Sequence, residues 1–356
     1  GELARGYALT GFPWLSIGYA HIESPMNGLA PILSVSGLGM IVALLAFWVA
    51  ELLRSSSYLP STRMAQAACA LGVGVVASAL SIIPWSQPEG EPIKVRLLQG
   101  NVPQSMKFDR DRASQSVRDY LDMIEGTDAA LTVLPETAFT RPLSSQPAPV
   151  RSRLGALLKE TGTHVAIGMP LRSTDAQAQG NPRVQLTNSV ATLSPAGEVV
   201  HRYDKRHLAP FGEYIPYGFA WFVNMMQIPL GEFGRGVADQ PHLSIEGRQI
   251  GFNICYEDLF GEELTAQVRS GAHVLINVSN IAWFGDSHAL PQHLNISRMR
   301  AIELGRPMLR STNTGATAAI DHQGRVVDEL AYYVQGALDT TVQPTSGLTP
   351  FARLGI

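Results

Sequence analysis

The sequence predicts a layered α/β domain preceded by two transmembrane α-helices. Three observations predict this organisation. Strand-like and helix-like segments alternate after residue 86, two long apolar segments lie before it, and only 16% of the 356 residues are charged. Alternating strands and helices are typical of layered α/β domains. Because soluble domains carry about one quarter charged residues, the low charge content indicates a chain that is partly embedded in a membrane.

Two apolar segments, residues 31–53 and 65–85, are predicted to cross the membrane. The first carries one charged residue, Glu51, and the second carries none. A helix of about 20 residues spans the roughly 30 Å of bilayer hydrocarbon. Both segments are apolar on every face, which disfavours the alternative of two buried core helices. The connecting loop contains Arg54 and Arg63, so the positive-inside rule predicts that this loop is cytoplasmic and that the following domain lies on the opposite side.

Residues 1–86 are therefore expected to form the membrane part, and residues 87–345 the α/β domain. The segment from Ser86 to Pro92 is rich in Pro, Gly and Glu, as expected of a boundary. Apolar and polar patterning then predicts strands at 93–100, 129–136, 164–170, 248–257, 273–280 and 307–315, hairpins at 187–205 and 316–330, and helices at 110–126, 150–162, 259–271 and 293–306.

The composition disfavours several classes of protein. The net charge is −3 and there is no basic stripe, so nucleic acid is not an expected partner. Two cysteines, Cys69 and Cys255, are too few for a disulfide framework. The histidines lack the spacing of a metal site, so neither a metal nor another cofactor is expected. A monomer is the simplest expectation for oligomeric state.

The stretch "GFNICYEDLF" places Cys255 between a predicted strand and a predicted helix. A turn at this point exposes the sulfur, and the partial positive charge of a helix N-terminus favours thiolate over thiol. Backbone N–H groups there can also bind an oxyanion. Taken alone, the stretch is more typical of a buried structural cysteine.

Three other charged residues follow predicted strands or lie in a shaped loop. Glu136 ends "TVLPE", where partial burial would make its carboxylate a useful base. Lys205 ends the first hairpin and can stabilise a developing oxyanion, with Glu213 in the Gly/Pro-containing loop that follows. Taken alone, Glu136 and Lys205 are each more typical of an ordinary solvated residue. Together with Cys255, however, they would supply a nucleophile, a base and a cation.

The motifs resemble a known superfamily. "LPET", "YDKRHLAPFGEY", "GFNICYED" and "NVSNIAWFGDS" are similar in order and spacing to the Glu-Lys-Cys motifs of the nitrilase, or carbon–nitrogen hydrolase, superfamily. The resemblance covers roughly residues 93–339 and implies a nitrilase-like α-β-β-α sandwich for the α/β domain.

The resemblance narrows to one family. "LTGFPWLSIGY" followed by the two apolar segments, together with "LLQGNVPQSMKFD" and "PFGEYIPYG", resembles the apolipoprotein N-acyltransferases, which complete bacterial lipoprotein maturation. That family combines transmembrane helices in the inner membrane with a periplasmic nitrilase-like domain. The resemblance implies transfer of a fatty acyl chain from a phospholipid, through a thioester on Cys255, to the α-amine of the diacylglyceryl-cysteine of an apolipoprotein. Covalent catalysis of this kind predicts ping-pong kinetics.

The resemblance also implies catalytic roles. Glu136 would be the general base and Cys255 the nucleophile. Lys205 would stabilise the tetrahedral intermediate together with the backbone N–H of Tyr256. Glu213 would orient Lys205 or the incoming amine.

Further positions match the family near these residues. Tyr256 and Glu257 flank the nucleophile, and Asn280 and Trp283 belong to a motif that usually reads "SNDAWFG". This chain has Ile281 in place of the Asp of that motif. Both ends of the chain also look shorter than in the family, so residues 346–356 are expected to lead towards a further transmembrane helix.

An apolar loop at residues 213–236 is a candidate lid that contacts lipid and gates entry of the acyl chain. It contains Tyr214, Trp221, Phe222, Met225 and Met226. The same residues are also typical of a protein core.

Two other functions remain open at the level of sequence. The first is a membrane-tethered nitrilase-type amidase, which would use the same three residues to hydrolyse a small amide or nitrile. The second is a membrane-bound binding module without catalysis, although retention of Glu136, Lys205 and Cys255 disfavours it.

Overall fold

Two six-stranded sheets pack face to face, with helices on both outer surfaces. The structure is a computed structural model that describes residues 2–7, 11–54, 60–103, 110–174, 184–210, 212–214 and 233–355. The arrangement confirms the expected nitrilase-like α-β-β-α sandwich.

The first sheet has the strand order β13-β2-β3-β4-β5-β6. Its strands are β2 (Ile93–Gln99), β3 (Leu131–Val133), β4 (His164–Thr174), β5 (Val184–Leu193), β6 (Val199–Asp204) and β13 (Gly336–Val342). Strands β2, β3 and β4 are parallel, whereas β4, β5 and β6 form an antiparallel meander. The predicted hairpin at 187–205 corresponds to β5 and β6.

The second sheet has the order β12-β11-β10-β9-β8-β7. Its strands are β7 (Leu243–Ile245), β8 (Arg248–Ile254), β9 (Val274–Ser279), β10 (Met308–Thr312), β11 (Ala318–Ile320) and β12 (Val326–Glu329). Strands β8, β9 and β10 are parallel. Strand β8 ends at Ile254, three residues earlier than predicted, because Cys255 has a backbone conformation outside the strand region.

Aliphatic side chains from both sheets form the central core. Leu97 and Val133 from the first sheet and Phe252 and Ile276 from the second belong to one buried cluster. Every residue of β9 is buried, as expected for a parallel strand covered on both faces. This core fixes the position of the strand ends that carry the candidate site.

The outer helices cover the remaining sheet faces. Helices α4 (Arg110–Ile124) and α5 (Ala148–Thr161) pack on the first sheet. Helices α6 (Gly261–Arg269), α7 (Ala289–Leu304) and α8 (Pro350–Leu354) pack on the second. Helix α5 ends as predicted at Gly162, whose φ of 68° is a left-handed conformation that glycine adopts without strain.

The N-terminal part contains α1 (Glu2–Tyr7) and two long helices, α2 (Ala30–Arg54) and α3 (Pro60–Ser81). Both long helices are apolar enough to span a membrane, and little of either span is buried within the protein. Helix α3 ends four residues before the predicted limit of 85. The end of the helix is explained by Pro84, because a proline disfavours helical backbone in the preceding residue.

The membrane part contacts the α/β domain through α7. Trp14, Tyr19 and Leu38 share a buried cluster with Ile296 and Met299 of that helix. Helix α2 is kinked at Ser34, where the φ is 57°. The freed N–H of the next residue, Val35, donates to a carboxylate oxygen of the buried Glu303 at 2.5 Å.

The boundary and the C-terminal segment are more ordered than the sequence indicates. Strand β1 (Gln87–Pro88), within the predicted boundary segment, pairs with β14 (Thr345–Ser346). Helix α8 follows within the segment expected to lead to a further membrane helix. Its Phe351 is buried against the second sheet's outer helices. The domain limits themselves stay predictions.

We predict that Leu97→Ala lowers the free energy of unfolding by about 2–5 kcal/mol, because it leaves a cavity between the two sheets. Thermal unfolding of the purified chain, followed by intrinsic fluorescence, measures the change. Val199→Ala, at an exposed site on β6, is the control and should stay within about 0.5 kcal/mol of the unmodified protein. Equal effects of the two substitutions would contradict a shared core between the sheets.

Candidate active site

Three of the predicted catalytic residues lie at strand ends. Glu136 follows β3 and Lys205 follows β6, both in the first sheet, and Cys255 follows β8 in the second. The Lys205 Nζ atom is 3.3 Å from Glu136 Oε1 and 3.0 Å from the carboxylate of Glu213. The charges of Glu136 and Lys205 both act on the Cys255 thiol. The structure therefore brings all four side chains to one site.

Asn188, on β5, was not expected from the sequence. Its Nδ2 atom donates to Glu136 Oε1 at 2.7 Å and to Glu213 Oε1 at 2.6 Å. Asn188 thus bridges two carboxylates that would otherwise repel each other. An asparagine within a strand has no sequence signal of its own. The pairing of β5 with β6 places Asn188 next to Lys205, and this proximity cannot be seen until the register of the two strands is known.

Backbone N–H groups complete the contacts of the two carboxylates. The N–H of Asn280 donates to Glu136 Oε2, and the N–H of Ala209 donates to Glu213 Oε2, each at 2.8 Å. Asn280 Oδ1 accepts in turn from Asn313 Nδ2 at 3.0 Å. These contacts hold both carboxylates in place beside Lys205.

Lys205 is almost completely buried, with 1% of its surface accessible. Burial on its own would lower the pKa of the ammonium. The carboxylates of Glu213 and Glu136 outweigh burial and hold the pKa of Lys205 well above its usual value. The side chain is therefore a fixed positive charge, suited to stabilise an oxyanion.

Cys255 is partly buried and has a φ of 56°, in the left-handed region that residues with side chains seldom adopt. Burial raises the pKa of its thiol to about 12. The negative charge of Glu136 adds to this effect, and the positive charge of Lys205 opposes it. At neutral pH the sulfur is consequently a thiol, and its attack on a carbonyl requires a base.

The residues Cys255–Leu259 form one turn of 3-10 helix, here called the Cys255 turn. Glu257 holds this turn in place. Its Oε2 atom accepts from Ile254 N at 2.7 Å and from Tyr203 Oη at 3.0 Å. Its Oε1 atom accepts from Arg206 N at 2.7 Å and from His207 N at 2.9 Å. Burial nevertheless raises the pKa of Glu257 to about 7.

Tyr256 links the Cys255 turn to the membrane part. Its hydroxyl donates to the carbonyl of Gly11 at 2.8 Å, and its ring lies 6.3 Å from that of Phe12. The predicted supporting residue Trp283 lies on the surface, 67% exposed. Ile281, where the family motif has an Asp, is buried, with 1% of its surface accessible.

The candidate lid is described in part. Tyr214 is half-buried, and the Arg235 guanidinium lies 5.3 Å from the centre of its ring. Trp221, Phe222, Met225 and Met226 lie outside the described residues, so the lid stays a prediction. Among the residues that the structure describes, no group of three or more His, Cys, Asp or Glu side chains is arranged to hold a metal ion.

Comparison with known proteins agrees with this geometry. The family model described as carbon-nitrogen hydrolase matches residues 94–347, and the one described as apolipoprotein N-acyltransferase N-terminal domain matches residues 1–48. An apolipoprotein N-acyltransferase from Ralstonia nicotianae is 46% identical over 99% of this chain. One from Bordetella bronchiseptica is 43% identical over 99%. The chain belongs to the apolipoprotein N-acyltransferase family.

The chain covers 66% of the length of the Ralstonia relative and 68% of the Bordetella relative. These matches confirm the expectation of an acyltransferase that belongs to the carbon–nitrogen hydrolase superfamily. Its N-terminal domain, together with the two apolar helices, indicates a membrane enzyme.

Solved structures share the fold. The C. elegans NitFhit protein has a TM-score of 0.54 at 16% identity and is matched over 71% of this chain and 61% of its own. An amidase from Nesterenkonia sp. has a TM-score of 0.50 at 21% identity, over 71% of this chain and 91% of its own. At such identities the likeness concerns the fold alone.

We predict that Glu136→Gln speeds alkylation of Cys255 by iodoacetamide at pH 8 while it abolishes acyl transfer. Loss of the negative charge lowers the thiol pKa and raises the thiolate fraction, but the amide can no longer take a proton during the reaction. Peptide mass spectrometry resolves the alkylation rate at Cys255. Slower alkylation in the variant would show that the Glu136 charge does not act on the sulfur.

Proposed function

We propose that this chain transfers an acyl group from a phospholipid, through a thioester on Cys255, to the α-amine of the diacylglyceryl-cysteine of an apolipoprotein. The observation that carries the proposal is the meeting of a partly buried thiol, a carboxylate and a buried ammonium at one site, in a chain whose N-terminal part contains two membrane-length helices. The names of its relatives agree with this substrate class.

The first half-reaction forms the thioester. Glu136 takes the proton of the Cys255 thiol as the sulfur attacks the ester carbonyl of the phospholipid. The Lys205 ammonium and the backbone N–H of Tyr256 stabilise the resulting oxyanion. When the tetrahedral intermediate collapses, the C–O bond breaks and the lysophospholipid leaves with the proton returned by Glu136.

The second half-reaction forms the amide. The neutral α-amine attacks the thioester carbonyl, and Glu136 accepts the proton that the amine loses. The C–S bond then breaks, and the proton returns to the sulfur. Glu213 contacts Lys205, so it keeps the ammonium directed at the oxyanion in both halves.

The proposed location is the bacterial inner membrane, with the α/β domain on the periplasmic side. Arg54 at the end of α2 and Arg63 near the start of α3 support this orientation, because arginines are retained on the cytoplasmic side. The contact of Tyr256 with Gly11 supports a site close to the bilayer, where both lipid substrates are found. A monomer with no cofactor is sufficient for this chemistry.

Hydrolysis of a small amide, the alternative considered from the sequence, would use water in place of the lipopeptide amine. The amidases among the structural neighbours share the fold with this chain. A shared fold alone does not favour water over a lipopeptide amine as the acyl acceptor. The N-terminal membrane domain favours the lipid substrate. Supplying both a lipopeptide amine and a small amide to the same preparation separates the two activities.

We predict that incubation of the chain with phospholipid alone leaves one acyl group on Cys255, because the first half-reaction needs no acceptor. Intact mass and peptide mass spectrometry detect the adduct, and addition of a diacylglyceryl lipopeptide should remove it. Cys69→Ser is the matched control, since it replaces the other cysteine, exposed on α3, and should retain the adduct. An adduct that persists in Cys255→Ser, or none in the unmodified chain, would refute the thioester mechanism.

A further inference from the structure

A second cluster of charged groups lies in the interior of the α/β domain, joined to the Cys255 turn. It consists of Asp258 in that turn, His293 and Ser297 on α7, and Arg310 on β10, and all four side chains are fully buried. None of them belongs to the set of residues expected from the sequence. Charged side chains are seldom buried completely unless they are paired, so the cluster calls for a specific role.

Asp258 is the centre of the cluster. Its Oδ2 atom accepts from Ser297 Oγ at 2.5 Å and from Arg310 Nη1 at 3.1 Å, and its Oδ1 atom is 2.9 Å from His293 Nε2. Arg310 Nη2 is 3.2 Å from His293 Nδ1. The Cys255 turn is thus bonded to α7 and β10 through one side chain.

These contacts define the protonation states of His293 and Asp258 in the cluster. A guanidinium only donates, so His293 Nδ1 accepts from Arg310 and Nε2 carries the proton that is donated to Asp258. Burial also lowers the pKa of His293 and keeps the ring neutral. Burial would raise the pKa of Asp258, but its contacts with His293 and Arg310 outweigh burial and keep it ionised. The cluster therefore contains one positive and one negative charge.

We propose that Asp258 is a positioning residue for Cys255: it anchors the turn that holds the sulfur, and it balances the charge of Arg310, which contacts the same turn. The proposal rests on the proposed role of Cys255 as the nucleophile. A left-handed conformation is unfavourable at a residue with a side chain and persists where the surroundings enforce it. Asp258, three residues after Cys255, supplies that restraint through its contacts with His293, Ser297 and Arg310.

The electrostatic part rests on the contact of Arg310 with the Cys255 turn, where its Nη1 atom lies 3.1 Å from Asp258 Oδ2. Burial lowers the pKa of the Arg310 guanidinium, and the charges of Asp258 and of a Cys255 thiolate oppose that effect. The interaction is mutual, so an unbalanced Arg310 would favour the thiolate. Among the described residues, Glu136, Lys205, Glu213 and Tyr256 also interact with the Cys255 thiol, and His293 interacts with the Cys255 backbone. Asp258 itself also faces Arg300 on α7, which is paired with Glu303.

The test compares Asp258→Asn with the double variant Asp258→Asn/Arg310→Met, each in the full chain with Cys69→Ser. In Asp258→Asn the unbalanced Arg310 should lower the thiol pKa by about one unit, so the rate of alkylation by iodoacetamide at pH 8 rises about tenfold. The double variant removes both charges, and its alkylation rate should return to that of the parent chain. In both variants kcat for acyl transfer should fall at least tenfold with KM unchanged, because the turn loses its anchor.

Glu303→Gln is the matched control. It breaks another buried ion pair on α7, that of Arg300 and Glu303, which faces helix α2. Its alkylation rate should equal that of the parent chain, although its melting temperature falls. A reactivity change in Glu303→Gln as large as that in Asp258→Asn would show general loosening and overturn the proposal.

An unchanged alkylation rate in folded Asp258→Asn, or a raised rate that persists in the double variant, would equally overturn it. If Asp258→Asn does not fold, the double variant decides, and a kcat equal to that of the parent chain refutes the positioning role. Absence of an acyl adduct on Cys255 in the unmodified chain would refute the proposed function instead, while the alkylation rates would still report on Asp258 and Arg310.

Discussion

One buried ammonium holds the candidate site together. Lys205 is removed from solvent, and its charge is balanced by Glu136 and Glu213 within the protein. Loss of one partner of a buried ion pair is costly, about 3–5 kcal/mol, because the other partner stays charged without water. Two carboxylates around one ammonium leave an excess of negative charge, which the Asn188 amide and backbone N–H groups offset. The proposed base and the proposed oxyanion site are consequently one structural unit.

The pairing of two sheets makes this unit possible. Glu136 and Lys205 follow strands of the first sheet, and Cys255 follows a strand of the second. The apolar core between the sheets therefore sets the distance between the Glu136 carboxylate and the sulfur. Helix α7 then joins the second sheet to the membrane part. Its Glu303 receives the N–H of Val35, and its inner side contacts the Cys255 turn through Asp258. Helix α7 thus contacts both the Cys255 turn and the membrane part.

Local pattern predicted the alternating strands and helices, and the resemblance carried by the motifs implied the sandwich and singled out Glu136, Lys205, Glu213 and Cys255. Features that depend on tertiary contacts were not predicted. Asn188 looks like any polar residue of a strand until β5 and β6 are paired. The role proposed for Asp258 depends on its contact with Arg310, which is 52 residues away along the chain. The kink at Ser34 likewise needs Glu303, since nothing in an apolar segment indicates where a distant carboxylate will bind.

The protonated state of Cys255 fits a site that must keep its charge constant. The pKa of about 12 means that no sulfur charge has to be balanced in the free protein. In the proposed mechanism, the proton of the attacking thiol moves to Glu136, and the negative charge that Glu136 loses appears on the oxyanion next to Lys205. The total charge around the ammonium stays the same throughout. Since bringing an extra charge into a low-dielectric site is costly, relocating an existing charge is the less costly route to the transition state. A resting thiolate would instead have required a further cation.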